Sequence, residues 1–136
     1  MLNSTESMLF AAGEPLWGFE WTELPLLPRS AEVTQDLIAI LERERENPYG
    51  DSEWSIPVHA WRILSLRKDP QAIAELIESL LMADVENDWA QNELAECVAK
   101  YEEKALSALL EVLRTEEFHA DGLWGFVGVV DALKMI

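Results

Sequence analysis

Apolar residues recur at helical spacing through most of this 136-residue chain. In AIAELIESLL, the residues Leu76, Ile77 and Leu80 are spaced i, i+1, i+4, which places them on one side of a helix. ALSALLEVLR (105–114) repeats this pattern nearly position for position, and VTQDLIAILE (33–42) carries an earlier copy. Each of these segments is therefore predicted to be an amphipathic helix that buries one apolar stripe.

Three tryptophans mark a longer period. Trp54, Trp89 and Trp124 are separated by 35 residues in both intervals, and each opens an apolar run after a short polar or glycine-containing segment. A fixed period of about 20 to 50 residues is the signature of stacked-repeat proteins, in which each unit buries its apolar face against the next. The sequence therefore predicts a series of stacked helical pairs.

The predicted elements are about six helices, of which the second to the fifth form two pairs. They cover approximately residues 31–46, 54–67, 70–82, 89–101, 104–115 and 123–136. Asn47-Pro48 is predicted to end the first helix, and Ser55 is a candidate cap for the second. Asp69-Pro70 is predicted to begin the third, with the aspartate accepting from free amides and the proline in the first helical position.

The segment DVENDW, Asp84 to Trp89, has acids at alternate positions, as a calcium-binding loop does. An EF-hand loop that began at Asp84 would need glycine at its sixth position and glutamate at its twelfth. Those positions hold Trp89 and Ala95. The segment is therefore predicted to be a turn between helices, in which Asn87 or Asp88 caps the next helix.

The paired units resemble a known class of repeat. IPVHAWRILSL–DPQAIAELIESLL and NDWAQNELAECVAKY–KALSALLEVL are similar to bacterial HEAT-like repeats, including those of phycobilin-lyase-type proteins, over about residues 30–136. The resemblance implies an all-α, α/α superhelix whose second helices line a concave face that binds other proteins. The sequence departs from the usual unit in lacking its inter-helix Asp and Arg pattern. It also has LRKDP and YEEKA where a tight glycine usually follows the first helix.

The first thirty residues differ from the rest. In LWGFEWTEL, Trp17, Phe19 and Trp21 alternate with small or polar residues, which predicts an extended arm with one aromatic face. Two interpretations stay open: the rings cover the first helix of the solenoid, or they dock on a partner, since aromatic anchors are typical of interfaces. The predicted organisation is an arm or cap at 1–30 and a HEAT-like solenoid at 31–136.

The C-terminal helix is unusually apolar for the polar cap that ends most solenoids. Its sequence VGVVDALKMI has no predicted partner helix within the repeats. Residues 1–30 cover it, or a second molecule does, or the chain is a fragment of a longer repeat protein. The last two alternatives are favoured, and the second allows a homo-oligomer through this helix.

Composition narrows the function classes. The chain carries 26 acidic and 10 basic residues, for a formal charge of −16, which argues against direct binding of nucleic acid because phosphate contacts need clustered Lys and Arg. No apolar stretch approaches the length of a membrane span, and the start does not resemble a secretory signal. Cys97 is the only cysteine, so no internal disulfide forms and a reducing cytoplasm is the predicted location.

Catalysis has no positive support in the sequence. The only histidines, His59 and His119, are each followed by alanine, unlike the His-Glu dipeptides that hold iron in some HEAT-like oxygenases. Cys97 is predicted to be a buried, inert thiol. There is no nucleophile elbow and no phosphate-binding glycine loop. Neither catalytic residues, nor a metal site, nor a cofactor are predicted.

The predicted function is a non-enzymatic module that binds a protein partner, with a basic segment as one option, on an acidic concave face. The alternative for this face is a solvated surface that keeps the protein soluble. The candidate binding residues are Trp17, Trp21, Glu75, Glu78, Glu111 and Arg114. Two other functions stay open: a lyase-like or chaperone subunit of the phycobilin type, and an acidic DNA mimic.

Overall fold

The structure is a computed structural model that describes residues 1–15, 21, 27–83, 88–115 and 123–136. Throughout these ranges every regular element is a helix, and none is a strand. The all-α prediction is therefore confirmed. In the same part of the chain no helix has the length and apolar character that a membrane span requires.

Seven α-helices and one 3₁₀ turn make up the described chain. They are α1 (Ser4–Ala11), α2 (Ala31–Glu46), α3 (Ser55–Arg67), the 3₁₀ turn (Pro70–Ala72), α4 (Ile73–Leu81), α5 (Asp88–Ala99), α6 (Glu103–Thr115) and α7 (Leu123–Met135). The six predicted helices correspond to α2 through α7, and α1 lies in the part of the chain that was predicted to be an arm.

Two predicted helix starts need correction. Ser55 does not cap α3: it is the first helical residue and is buried, and the cap position is held by Trp54 in helical conformation. Pro70 begins a 3₁₀ turn, so α4 starts only at Ile73. Asp69 accepts a hydrogen bond from the Thr34 hydroxyl at 3.0 Å. The predicted cap residue Asn87 and the turn at 84–87 lie outside the described residues.

The described chain forms two compact units, Met1–Asp69 and Pro70–Ile136. The predicted boundary at residue 30 falls inside the first unit, because α1 packs against α2 and α3. α1 begins with a capping box: the Asn3 side chain accepts from the Glu6 amide, and Glu6 accepts from the Asn3 amide. The core of this unit is built from fully buried aliphatic side chains, including Leu9, Leu37, Leu41, Ile56 and Leu64.

The second unit is organised around α4, which contacts α5, α6 and α7. Leu76 and Leu80 of α4 are fully buried, as are Leu94 of α5 and Leu109 of α6. α7 approaches α4 closely at Gly128, where a Cβ would lie 2.7 Å from Cδ1 of Leu80. This small residue therefore permits the helices to pack at a distance that alanine would not allow without a shift.

A residue with a positive φ follows the first helix of each predicted pair. Lys68 directly follows α3 with φ of 52°, and Glu102, with φ of 54°, lies three residues after the end of α5 and directly before α6. Both are in the left-handed region that favours glycine. They occupy LRKDP and YEEKA, the segments where the sequence lacks the glycine expected of a HEAT-like unit. Both positions therefore carry side chains in a backbone conformation that strains them.

Candidate functional site

The second unit carries most of the negative charge. Residues 70–136 include fourteen acidic and four basic residues, which is −10 of the formal total of −16. Charge of one sign concentrated on a small unit produces a field that attracts ligands of the opposite sign. This unit also contains four of the six candidate binding residues.

These four residues lie on α4 and α6, two helices that contact each other within the unit. Glu78 is exposed and Glu75 is half-buried, both on α4. On α6, Arg114 and Glu111 are exposed and form an ion pair with an N–O distance of 2.5 Å. An exposed pair of this kind contributes little to stability, on the order of 0.5 kcal/mol, so its charges can be rearranged by a ligand at low cost.

The apolar stripe of α6 is only partly buried, which corrects the expectation of equivalence with α4. Leu109 is fully buried like its counterpart Leu76. Leu110, however, is 51% exposed, whereas its counterpart Ile77 is 4% exposed. Leu106 is 37% exposed on the preceding turn. Periodicity identifies the apolar side of both helices, but it cannot show which of them has a neighbour on that side.

The two aromatic candidates have different outcomes. Trp17 lies outside the described residues. Trp21 is half-buried, and its ring centre lies 5.2 Å from the guanidinium carbon of Arg62 on α3. A guanidinium over an indole ring is an attractive cation–π contact. At this position the N-terminal segment therefore contacts α3 of its own chain, whereas the covering interpretation placed the rings on the first predicted helix, α2.

Backbone contacts also attach the N-terminal segment to α3. Arg67 donates to the carbonyl oxygens of Leu27 and Pro28, both at 3.0 Å. His59 Nε2 lies 2.7 Å from the carbonyl oxygen of Gly13, which can only accept, so this nitrogen is the protonated one. His59 is half-buried, and its hydrogen bond attaches the backbone at Gly13 to α3. His119 lies outside the described residues.

The first unit contains a polar cluster that was not predicted from the sequence. Glu6 Oε2 accepts from the Tyr49 hydroxyl at 2.5 Å and from Arg43 Nη1 at 2.7 Å, and the Arg43 guanidinium carbon lies 4.0 Å from the centre of the Tyr49 ring. The Tyr49 amide donates to Glu44 at 2.9 Å. The capping box Asn3–Glu6 was visible in the sequence, but partners 37 and 43 residues away were not.

The pKa values in this cluster follow from burial and charge. Desolvation acts to raise the pKa of Glu6, but the bonds from Tyr49 and the Asn3 amide, with the charge of Arg43, outweigh it and leave the pKa below its ordinary value. Burial raises the pKa of the Tyr49 hydroxyl, and the hydrogen bond to Glu6 adds to this. Burial also raises the pKa of Glu44. The cluster is a satisfied structural network that joins α1 to α2 and to the segment after it.

Groups that could support chemistry are sparse in the part of the chain that the structure describes. Cys97 is fully buried in α5. Among the described residues, no group of three or more His, Cys, Asp and Glu is arranged to hold a metal ion. An open groove of about 570 Å³ lies in the second unit, lined by apolar and charged side chains: Ala99, Met135, Ile136, Glu96, Lys100, Glu102 and Glu103.

Comparisons with known proteins add no assignment. No protein-family model, no curated protein and no solved structure matches this chain. The HEAT-like class therefore stays a prediction.

Proposed function

We propose that this chain is a non-enzymatic, HEAT-like protein-binding module of the bacterial cytoplasm. The observation that carries the proposal is the surface of α6 within the acidic second unit. There, the exposed leucines Leu106 and Leu110 stand beside exposed charged side chains. Protein interfaces combine an apolar centre with a charged rim in this way, and the rim charges steer the encounter.

Glu78 and Glu111 are assigned to the charged part of this surface, with Glu75 and Arg114 beside them on the same two helices. A basic partner segment is attracted to them because the unit has a formal charge of −10. The apolar residues supply affinity that remains when salt screens the charges. Trp17 and Trp21 stay candidate anchors, and the contact of Trp21 with Arg62 favours a role within the chain for that residue.

The test is affinity capture from an extract of the source cells, with the immobilised protein, at about 50 mM and about 500 mM salt. A variant with Glu78→Lys and Glu111→Lys is expected to lose the captured protein. The matched control, Glu42→Lys with Glu46→Lys, changes the charge by the same amount on two exposed positions of α2 and should retain it. If the amount of captured protein changes neither with salt nor in the Glu78 and Glu111 variant, the role of charge in binding is contradicted. If the wild type captures no protein, the proposed function is contradicted.

The other two functions stay predictions with their own measurements. A bilin lyase-like or chaperone role requires a change in bilin absorbance on titration with the protein. A DNA-mimic role requires the protein to compete with DNA for a common target.

A further inference from the structure

The strongest unexplained feature is the exposed side of α6. Residues 105–114 repeat residues 72–81, so positions 106–114 of α6 have counterparts at 73–81, the whole of α4. On α4, Ile77 and Leu80 are buried and Ile73 is half-buried, because α5, α6 and α7 surround that helix. At the corresponding positions of α6, Leu106 and Leu110 remain exposed and Leu113 is half-buried. The same sequence pattern is therefore more fully covered on α4 than on α6, and the difference is largest between Ile77 and Leu110.

The open stripe has the dimensions of a helix-binding surface. Leu106, Leu110 and Leu113 are spaced i, i+4, i+7 and extend for about 10 Å along one side of α6. The buried side of the helix borders the stripe on one edge. On the other edge helical geometry places Glu103 and Arg114. This is the spacing that an amphipathic helix uses when it lays its apolar face into a groove.

Charge decides between the possible occupants. A second copy of this chain would bring a formal charge of −16 against another −16. An amphipathic helix with lysine or arginine beside its apolar face is attracted instead, since the unit has fourteen acidic and four basic residues. We infer that the Leu106–Leu110–Leu113 stripe of α6 is the docking site of a basic amphipathic helix of another protein. This inference rests on the proposed function and names its partner class.

The direct test uses three synthetic peptides of about 18 residues, long enough to form four to five helical turns. The first is an amphipathic helix of leucine and lysine, the second has the same composition in scrambled order, and the third replaces lysine with glutamate. Binding is measured by fluorescence anisotropy. We expect the first peptide alone to bind tightly. Absence of binding by the first, or equal binding by the scrambled or the acidic peptide, overturns the inference.

Variants locate the site. Leu106→Ser with Leu110→Ser should weaken binding of the basic amphipathic peptide by about tenfold or more, because the double variant removes two apolar contacts. Both side chains are exposed, so the fold should remain intact. Phe10→Ser removes an apolar side chain of similar exposure, 45%, from α1 in the first unit and should leave binding within about twofold. Circular dichroism confirms that both variants are folded. Undiminished binding by the double variant overturns the inference.

Two further readouts separate the outcomes. If the protein captured from extract binds the Leu106 and Leu110 variant as well as it binds the wild type, the inference fails while the proposed function stands. If the wild type captures nothing, the proposed function itself fails. A dimer of the free protein in sedimentation, abolished by the double leucine variant, would assign the stripe to a second copy and overturn the choice of partner.

Discussion

At the scale of single residues, the carboxylate of Glu6 accepts hydrogen bonds from the Asn3 amide, the Tyr49 hydroxyl and Arg43. Its pKa lies below the ordinary value near 4.5 because the Tyr49 hydroxyl, the Asn3 amide and Arg43 stabilise the charged form against desolvation. A group whose pKa is lowered by folding adds stability above its unfolded pKa, and that stability is lost as the pH falls through the folded value. Glu6 thus contributes to acid unfolding.

Replacement of Glu6 by glutamine tests this contribution. Glu6→Gln keeps an acceptor but removes the charge, and we expect a loss of about 1–2 kcal/mol in the free energy of unfolding at pH 7. The loss should shrink as the pH falls from about 5 to about 3, since the wild-type carboxylate then takes up its proton. Urea unfolding followed by circular dichroism at several pH values measures it. A loss that is independent of pH would contradict the assignment.

The matched control is Glu44→Gln in the same cluster. Burial raises the pKa of Glu44, so its charge opposes folding above the folded pKa and this cost disappears as the pH falls. Glutamine retains an acceptor for the Tyr49 amide and removes the desolvated charge. We expect a change within about 0.5 kcal/mol at pH 7, and its dependence on pH should have the opposite sign.

The sequence could predict part of this cluster. Asn3 and Glu6 have the three-residue spacing of a capping box. Because this motif is local, it can be recognised in the sequence. Arg43 and Tyr49 reach Glu6 only because α1 packs beside α2, and nothing in their neighbourhoods in the sequence encodes that contact. Distant partners of a charged residue follow from tertiary packing, so they could not be predicted from residue spacing.

At the scale of elements, Lys68 directly after α3 and Glu102 directly before α6 hold side chains where glycine is favoured. Lys68→Gly and Glu102→Gly should each stabilise the protein by about 0.5–1 kcal/mol, because relief of left-handed strain exceeds the added entropy of the unfolded chain. Urea midpoints measure this. Lys68→Ala is the control, since alanine retains the strain and should bring no gain. Equal gains from alanine and glycine would contradict the explanation.

The close contact between α4 and α7 limits the size of the side chain at position 128. Gly128→Ala should destabilise the protein by about 1–2 kcal/mol, because overpacking against Leu80 outweighs the better helix propensity of alanine. Leu80 is fully buried, and close packing in a protein interior resists the displacement of such a side chain. Gly50→Ala is the control, as a Cβ there would meet nothing within 4 Å. Thermal unfolding of both variants checks the expectation, and equal melting temperatures would contradict it.

The sequence predicted six of the seven described helices because their apolar periods are regular. It missed α1, which has eight residues and buries only one large apolar side chain, Leu9, so it has almost no stripe to detect. It also assigned the cap of α3 to Ser55, although Ser55 is the first helical residue and Trp54 holds the cap position in helical conformation. Local propensity at a helix end is weak, and tertiary contacts override it.

At the scale of the whole molecule, the formal charge of −16 opposes compaction through self-repulsion. An increase in sodium chloride from about 20 mM to about 300 mM should therefore stabilise the protein by roughly 1 kcal/mol, seen as a rise of a few degrees in melting temperature. Glu42→Lys with Glu46→Lys reduces the charge to −12 and should reduce this rise. A melting temperature that falls with salt would show that specific ion pairs dominate.

The candidate site was only partly predictable at this scale. The charge of the second unit and the glutamates of α4 and α6 are plain in the sequence. The exposure of Leu110 was not, because the repeat suggested a helix buried like α4. Whether a stripe is covered depends on the presence of a neighbouring helix, which is a property of the assembled unit and not of the stripe.

The exposed leucines of α6 have a consequence for handling the protein in acid. Like charge keeps molecules apart at neutral pH, but near the isoelectric point of about 4.3 this protection vanishes. The exposed apolar side chains of different molecules can then associate, so solutions should turn turbid close to that pH. Light scattering should show the Leu106→Ser and Leu110→Ser double variant staying clear over a wider acid range than Phe10→Ser. Cloudiness that is identical in both variants would trace the precipitation to another part of the surface.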